Sequence, residues 1–300
     1  MDFKGKTALV TGGVSGIGFG IARAFAAAGI DLVLTYRNAE YRDRAAQWFT
    51  QQGGRAPRFV ALDVTDRERW REVAENVGPI HILVNNAGVS VFGPTDEASY
   101  ADYDWIMGVN FGGVVNGLVT FIPRIKARGE GGYIVNVASM AAYLPGPQAG
   151  IYTASKFAVR GLTECLRFNL APHGIGVSLM CPGLTRTNAW DSALRRPAAF
   201  AASGFASADH AELARFGEAF TAGMEPLEVG EKTLAGMREN RAVIFTHPEF
   251  AEDFDEIHRA CRDALPQEPA PEGRLHIERL RRAAARAAAE GRQISLDDLT

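Results

Sequence analysis

Two residues spaced one helical turn apart carry the strongest chemical signal in this chain. Tyr152 and Lys156 are four positions apart, so a helix through them would place both side chains on one face. A phenol titrates at about pH 10, and acid–base work near neutrality needs that pKa lowered by roughly 3 units. A neighbouring ammonium favours the phenolate and can supply part of this shift. The pair therefore predicts a tyrosine that exchanges a proton with a bound substrate.

Two further polar residues accompany this pair. Ser139 ends an apolar run thirteen positions before Tyr152, and Asn110 lies in the middle of a long helical stretch. By itself, the Tyr–Lys spacing fits equally well an ordinary half-buried tyrosine beside an exposed lysine. Two correctly placed hydroxyls, in contrast, can stabilise and then protonate an oxygen on which negative charge develops.

A glycine-rich segment follows the first apolar run of the chain. It passes from Gly12 through Ser15, Gly16 and Ile17 to Gly18, and a helical stretch follows. Glycines here permit a tight turn and a close approach of the backbone to a pyrophosphate, and the helix N-terminus supplies unpaired N–H groups. An ordinary turn could carry the same glycines, but the position between a strand and a helix favours phosphate binding.

The rest of the chain alternates between strand and helix patterns. Short apolar runs predict strands at 7–11, 32–36, 59–62, 80–84, 133–137, 177–180 and 243–245. Helices are predicted at 17–28, 40–52, 66–76, 100–126 and 150–170. Uninterrupted apolar strands between helices indicate a parallel sheet covered on both faces. We therefore expect an α/β fold, a single-domain, doubly wound (Rossmann) sheet of about seven strands.

Composition and charge are those of an ordinary soluble protein. Hydrophobic residues make up 47% of the 300 residues and charged residues 22%, and the net charge is −3. No apolar run of 18 residues occurs and the N-terminus lacks a signal-peptide pattern, so we expect a cytoplasmic protein with no membrane or nucleic-acid partner. Cys165, Cys181 and Cys261 are widely spaced, which predicts free thiols and no metal site.

Six motifs occur in one order along the chain. They are TGxxxGIG at 11–18, NNAG at 85–88, Asn110, Ser139, YxASK at 152–156 and PGxxxT at 182–187. In these motifs the chain resembles the short-chain dehydrogenase/reductase family, strongly over 4–187 and more loosely to about 245. The segments 100–126 and 194–197 are similar to bacterial dehydrogenases that oxidise aryl carbinols of lignin-derived ethers, the lignin-type Cα dehydrogenases.

The resemblance implies an oxidoreductase that interconverts a secondary alcohol and a ketone with a nicotinamide cofactor. Tyr152 would donate a proton to the ketone or take one from the alcohol. Lys156 would lower the pKa of Tyr152 and bind the nicotinamide ribose, and Ser139 would hydrogen-bond the substrate oxygen. Asn110 would hold a water that links Lys156 to solvent.

The resemblance also implies cofactor contacts along the carboxyl ends of the strands. The expected cofactor-binding residues are Gly12, Ser15, Gly16, Ile17, Gly18, Arg37, Asp63, Val64, Asn86, Ala87, Gly88, Tyr152, Lys156, Pro182, Gly183, Thr185 and Thr187. Among these, Asp63 would accept a hydrogen bond from the adenine amine, although an aspartate at this place also fits a turn or a helix cap.

The end of the second predicted strand bears on the choice of cofactor. An acidic residue here would pair with the ribose 2′-hydroxyl of NAD, but this chain has Tyr36 followed by Arg37. The missing carboxylate removes a repulsion against a 2′-phosphate, which an arginine can bind with two hydrogen bonds. We therefore favour NADP(H), with NAD(H) as the alternative. Arg37 as a solvated charge, or stacked on adenine, would fit either cofactor.

The segment 184–224 falls outside the strand–helix alternation, and we expect it to cover the site as a lid. Its large apolar side chains are Trp190, Phe200, Phe205, Phe216, Phe220 and Met224. The expected substrate contacts are Val91, Ser139, Leu144, Tyr152 and Trp190. Such a lining favours a bulky apolar or aromatic substrate. The same aromatic residues also fit a lid that packs only against itself.

The chain is expected to divide into a Rossmann domain at 1–264, which includes the lid, and a helical tail at 265–300. An alanine-rich amphipathic pattern predicts a helix at 273–291 in this tail. It could contact another subunit or remain a solvated surface helix. By family resemblance, the long helices at 100–126 and 150–170 are the expected faces of a homodimer or homotetramer.

Three other functions remain open from the sequence. The lignin-type relatives favour an NAD-dependent aryl-carbinol dehydrogenase. A ketoreductase acting on carrier-bound acyl chains would require a basic docking surface beside the entrance to its active site. A catalytically inactive dinucleotide-binding sensor need not retain Asn110, Ser139, Tyr152 and Lys156 together.

Overall fold

The structure is a computed structural model and describes residues 1–205, 215, 217–290 and 292. Its strands are β1 (Thr7–Val10), β2 (Asp31–Tyr36), β3 (Arg58–Ala61), β4 (Ile82–Asn85), β5 (Gly132–Val137), β6 (Ile175–Cys181) and β7 (Val243–Phe245). They form one parallel sheet in the order β3-β2-β1-β4-β5-β6-β7, which confirms the predicted fold class. The strand order reverses beside β1, and such a reversal opens a ligand-binding crevice at the carboxyl ends of the strands.

Helices cover both faces of this sheet. They are α1 (Gly16–Ala27), α2 (Ala39–Gln52), α3 (Arg67–Asn76), α4 (Tyr100–Met107), α5 (Gly113–Ala127), α6 (Gly150–Leu170), α7 (Pro226–Arg238), α8 (Ala251–Asp263) and α9 (Glu272–Ala289). On one face, α1 and α7 are in direct contact because glycines lie between them. A Cβ atom at Gly20 of α1 would stand 1.8 Å from the carbonyl oxygen of Pro226, so only glycine allows this approach.

The sheet lies between two apolar cores. On one side, Trp70, Trp105 and Phe121 from α3, α4 and α5 are at most 1% exposed. On the other side, Phe25 of α1 and Met237 of α7 are fully buried. Because both faces of the sheet are covered, the strands need apolar residues at successive positions, and every residue of β6 is buried.

The helix predicted at 100–126 is continuous in the structure, at Tyr100–Ala127, but it contains a π-helical turn. The π-helical turn at Gly108–Gly112 separates α4 from α5. Such a turn accommodates an extra residue, and here it holds Asn110, whose carboxamide bonds the backbone of Val89 at 2.8 and 3.0 Å. By length and composition Tyr100–Ala127 could also cross a membrane, but half of its most apolar window is buried in this fold, as in a core helix.

The part of the chain after β6 differs most from the prediction. Helices α7 and α8 were missed, although Pro226 at the start of α7 is a recognised helix-start signal. Helix α8 has no buried residue, although its partly buried Phe254 packs against the core and against Tyr143 and Phe245. Helix α9 lies where the tail helix was predicted, and its Ala288 is buried. The lid positions 206–214 and 216, with the predicted Phe216, and the tail positions 291 and 293–300 lie outside the described residues.

Candidate active site

The glycine-rich loop between β1 and α1 forms one end of the site. Gly12 and Gly16 have φ angles of +62° and +50°, which other residues rarely adopt. A Cβ at Gly18 would lie 2.3 Å from the carbonyl oxygen of Gly12, so this glycine lets the helix start close against the loop. Asn86, after β4, donates to the carbonyl oxygen of Thr11 at 2.8 Å and thereby fixes the neighbouring loop.

A cavity of about 620 Å³ begins at this loop and follows the carboxyl ends of the strands to α6. All but one of the predicted cofactor-binding residues line it: Gly12, Ser15, Gly16, Ile17, Arg37, Asp63, Val64, Asn86, Ala87, Gly88, Tyr152, Lys156, Pro182, Gly183, Thr185 and Thr187. The exception is Gly18, which acts through packing. A glycine-lined groove that leads past a helix N-terminus fits the pyrophosphate of a dinucleotide.

Three of the four predicted catalytic residues meet at the other end of this groove. Tyr152 and Lys156 lie one turn apart on α6, and the Lys156 Nζ is 5.5 Å from the centre of the Tyr152 ring. Ser139, just after β5, hydrogen-bonds the Tyr152 hydroxyl. The Ser139 Oγ also accepts a hydrogen bond of 3.1 Å from the backbone N–H of Ala141, which fixes its position. The arrangement therefore presents two hydroxyls to one substrate oxygen.

The electrostatics of this cluster differ from the sequence-based expectation. Burial raises the pKa of Tyr152, and the hydrogen bond with Ser139 offsets only part of this effect. Burial lowers the pKa of Lys156 to about 8. Its ammonium donates to the carbonyl oxygen of Val137 at 3.3 Å. In the protein by itself, desolvation of the phenolate therefore sets the direction of the Tyr152 pKa, and a lowering of it by Lys156 stays a prediction.

Asn110 lies behind the cavity wall and not in it. Its Oδ1 accepts from the N–H of Val89, and its Nδ2 donates to the carbonyl oxygen of Val89 and to the Oγ of Ser155. A Cβ at Gly88 would lie 3.1 Å from the Asn110 Oδ1 and 3.6 Å from the Lys156 Nζ. The carboxamide therefore holds the loop beside the ammonium. Its role in holding a water stays a prediction.

The substrate end of the cavity is apolar, but two expected residues are absent from it. Leu144, Ser139 and Tyr152 line the cavity. Val91 does not, because it is 5% exposed and packed in the core. Trp190 does not either, because its ring packs on the backbone at Gly217. Other apolar side chains line this end with them, including Phe220 of the predicted lid lining: Phe92, Met140, Leu184, Phe220 and Phe250.

At the opposite end, the basic residues after β2 have separate partners. The guanidinium of Arg37 lies 3.5 Å from the carboxylate of Asp63, and both side chains are about two-fifths exposed to solvent. Arg42 stacks on the Tyr36 ring with its Cζ at 5.3 Å from the centroid. Arg44 pairs with a glutamate one turn before it on α2. Of these three arginines, only Arg37 lines the cavity.

His247, which the sequence analysis did not select, holds the loop after β6. Its Nδ1 accepts from the N–H of Gly183 at 3.0 Å, and its Nε2 lies 2.8 Å from the carbonyl oxygen of Leu184. A single histidine 64 positions away in sequence carried no signal of this contact. Among the described residues, no group of acidic, histidine and cysteine side chains is arranged to hold a metal ion.

Comparison with known proteins agrees with this site. A model of the short chain dehydrogenase family matches residues 6–197. The C alpha-dehydrogenase of Sphingobium sp. is 36% identical over 286 residues, 93% of either chain. A protein of Novosphingobium aromaticivorans described as a short-chain dehydrogenase superimposes with a TM-score of 0.80 at 36% identity, covering 95% of this chain and 98% of that one. A Burkholderia phymatum family member in complex with NAD gives 0.80 at 32% identity, covering 90% and 99%.

The fold and the site together define a dinucleotide-dependent oxidoreductase. The chain belongs to the short-chain dehydrogenase family. It is an NAD(P)-dependent enzyme of the alcohol dehydrogenase or ketone reductase type, and the resemblance to lignin-type dehydrogenases is confirmed.

Proposed function

We propose that this enzyme interconverts a secondary alcohol and a ketone of bulky, aromatic character, with NADP(H) as the preferred cofactor. The observation that carries the proposal is the meeting of Ser139 and Tyr152 at the point where the glycine-lined groove opens into an apolar pocket. A nicotinamide bound in the groove would supply or accept the hydride. The protein's own residues would do the remaining work.

In the direction of reduction, Ser139 would orient the ketone oxygen and Tyr152 would transfer its hydroxyl proton to it. The carbonyl carbon gains a hydride and the oxygen gains this proton, which yields the alcohol. Lys156, held under the ring, would then stabilise the phenolate until a proton from solvent restores it. The raised pKa of the buried Tyr152 keeps its hydroxyl protonated and able to act as the acid.

The proposal of an aromatic substrate comes from the pocket beside Tyr152. Phe92 contacts the Tyr152 ring at a centroid distance of 6.3 Å, and Leu144 and Phe250 also line this end of the cavity. The charged residues that line the described cavity lie elsewhere, at the groove and under Tyr152. Burial of an aryl ring against such a lining is favourable, whereas a sugar would leave its hydroxyls without partners.

A second candidate is an NAD-dependent aryl-carbinol dehydrogenase. The Sphingobium relative is a Cα-dehydrogenase, and the Burkholderia neighbour was solved with NAD. Steady-state kinetics with NADH, NADPH and their oxidised forms separates the two candidates, on a panel of aryl ketones and aryl carbinols. Our proposal requires a higher kcat/KM with the phosphorylated cofactor, and the opposite preference would establish the second candidate.

The reaction itself is tested by Tyr152→Phe, with the exposed Tyr100→Phe on α4 as the matched control. We expect Tyr152→Phe to lower kcat by about 10²- to 10⁴-fold, because general acid catalysis is lost, while the Kd of NADPH stays nearly unchanged. Tyr100→Phe should behave as the wild type. Retained turnover in Tyr152→Phe would remove this tyrosine as the acid.

We also propose a homo-oligomer located in the cytoplasm. Val119 on α5 is 70% exposed, and Phe157 and Phe168 on α6 are 42% and 37% exposed, which leaves an apolar face on these two helices for another copy of the chain. Light scattering of the purified protein should give two or four subunits, and a monomer at micromolar concentration would contradict this. Cell fractionation tests the location.

A further inference from the structure

One described segment of the lid, Asn188–Arg195, lines the groove and contacts α2. This segment forms a 3₁₀ helix after β6, and Tyr41 lies in the first turn of α2. The Tyr41 hydroxyl accepts a hydrogen bond of 3.0 Å from the Asn188 Nδ2 and one of 3.4 Å from the Arg195 Nη1. These residues are about 150 positions apart in sequence and make a bridge at the cofactor groove.

Arg195 is held in this place by the lid itself. Its Nη2 forms an ion pair of 2.5 Å with Asp191 and donates to the carbonyl oxygen of Asn188 at 2.9 Å. Its Nη1 makes the long hydrogen bond to the Tyr41 hydroxyl. Both Arg195 and Tyr41 line the cavity. The guanidinium is therefore oriented at a fixed position facing the groove, so little side-chain entropy remains to be lost on binding.

The position of this bridge is the phosphate end of the groove. Thr187, directly before the 3₁₀ helix, rests on the glycine loop, since a Cβ at Gly16 would lie 3.2 Å from its Cγ2. Among the described cavity-lining residues Arg37, Lys156 and Arg195 are cationic and Asp63 is the one carboxylate. Arg195 also pairs with Asp191, which lies outside the cavity lining, but Arg195 itself lines the same groove as the glycine loop on which Thr187 rests, where a phosphate can be bound.

We propose that Arg195 is a phosphate ligand of the dinucleotide, carried by the lid segment Asn188–Arg195, which the hydrogen bond from Asn188 to Tyr41 holds to α2. On cofactor binding, the Arg195 guanidinium would exchange its long contact with the Tyr41 phenol for a charge-assisted hydrogen bond to a phosphate oxygen. This inference rests on the dinucleotide site of the proposed function. The phosphate belongs either to the pyrophosphate, which both cofactors share, or to the 2′-phosphate of NADP(H).

The test measures the Kd of NADH and NADPH by calorimetry for the wild type, Arg195→Gln and a matched lid control. Arg186→Gln is that control, since Arg186 pairs with Glu225 and does not line the cavity. We expect Arg195→Gln to weaken binding by about 10- to 100-fold, the effect of a lost hydrogen bond to a charged group. An equal loss with both cofactors assigns Arg195 to the pyrophosphate, and a loss with NADPH alone assigns it to the 2′-phosphate.

Arg195→Gln that binds both cofactors as tightly as the wild type and Arg186→Gln would overturn the proposal. Failure of the proposed function would look different, because the wild type itself would then bind no dinucleotide. The contact between the lid segment and α2 is tested with Tyr41→Phe, which removes the hydroxyl and keeps the ring. We expect Tyr41→Phe to increase the rate of cofactor release severalfold in stopped-flow fluorescence. An unchanged rate would refute the role of the Tyr41 hydroxyl in holding the lid segment to α2.

Discussion

A buried ion pair between Asp102 and Arg196 fastens residues 196–204 of the lid to α4. The Asp102 carboxylate is fully buried and lies 2.7 Å from the Arg196 Nη2, which also stacks on Trp105. Ser203 and Gly204 donate to the same carboxylate at 2.6 and 2.9 Å. Arg196, Ser203 and Gly204 all belong to the lid, so this single carboxylate holds residues 196–204 against the domain.

We expect Asp102→Asn to cost about 3–5 kcal/mol of stability, the range for removal of one partner from a buried ion pair. The amide of asparagine presents N–H groups to donors that now bond an oxygen, and it leaves Arg196 without a counter-charge. The loss of global stability cannot exceed the free energy needed to detach the lid locally from the domain. If local detachment of the lid costs less free energy than global destabilisation, the variant keeps its global stability and the lid detaches instead.

Two measurements cover both routes. Urea unfolding reports the global loss, and trypsin cleavage in the lid under native conditions reports local detachment. Asp104→Asn is the matched control, because Asp104 is exposed on the same helix and should change stability by less than about 0.5 kcal/mol. An Asp102→Asn variant that matches Asp104→Asn in both the urea midpoint and the cleavage rate would refute the reasoning.

The same carboxylate predicts a pH dependence. Burial by itself would raise the pKa of Asp102, but hydrogen bonds from Ser203, Ser99 and Gly204 outweigh it and hold the pKa far below its usual range. A folded-state pKa below the unfolded value of about 3.9 stabilises the protein above that pH, and the contribution is lost as the pH falls towards the folded pKa. The stability difference between wild type and Asp102→Asn should therefore shrink below about pH 4.

Three further predictions concern the cofactor groove and the packing that supports it. Arg37→Ala should raise the Kd of NADPH about 10-fold or more and leave that of NADH nearly unchanged; equal effects would refute a 2′-phosphate contact. Gly20→Ala should destabilise by at least 2 kcal/mol, roughly the cost of overpacking, since its Cβ would overlap the Pro226 carbonyl; thermal unfolding measures this. The cofactor-free protein should gain stability over Lys156→Met between about pH 8 and 10, because the unfolded lysine binds its proton more tightly; a flat difference across that range would show that burial does not lower its pKa.

The sheet and its cofactor groove followed from the sequence because their signals are local. An apolar run such as 177–180 is required wherever a strand is covered on both faces, and β6 occupies that run with two residues more at its start and one at its end. Tyr152 and Lys156 stand on one face of a helix whose period is fixed, and α6 begins and ends as predicted. Gly12 and Gly16 adopt positive φ angles that other residues rarely take, so the local backbone itself requires glycine there.

The prediction was less accurate where side chains are placed by distant partners. Val91 and Trp190 were expected at the substrate, but an apolar residue serves a core as well as a pocket and its type does not distinguish the two. The raised pKa of Tyr152 depends on how deeply α6 is covered, which no spacing reveals. The π turn at Gly108–Gly112 depends on Val89, some twenty positions earlier.

The sequence alone determined the fold class and the family, and it predicted most of the residues that line the groove, because helical period, strand burial and glycine conformation act over a few residues. Only the tertiary structure decided how the described part of the lid is attached, through Arg195 to Tyr41 of α2 and through Arg196 to Asp102 of α4. Each of these contacts joins residues about 100 or more positions apart. The contact with Asp102 draws its energy from a charge that is buried only once the chain has folded.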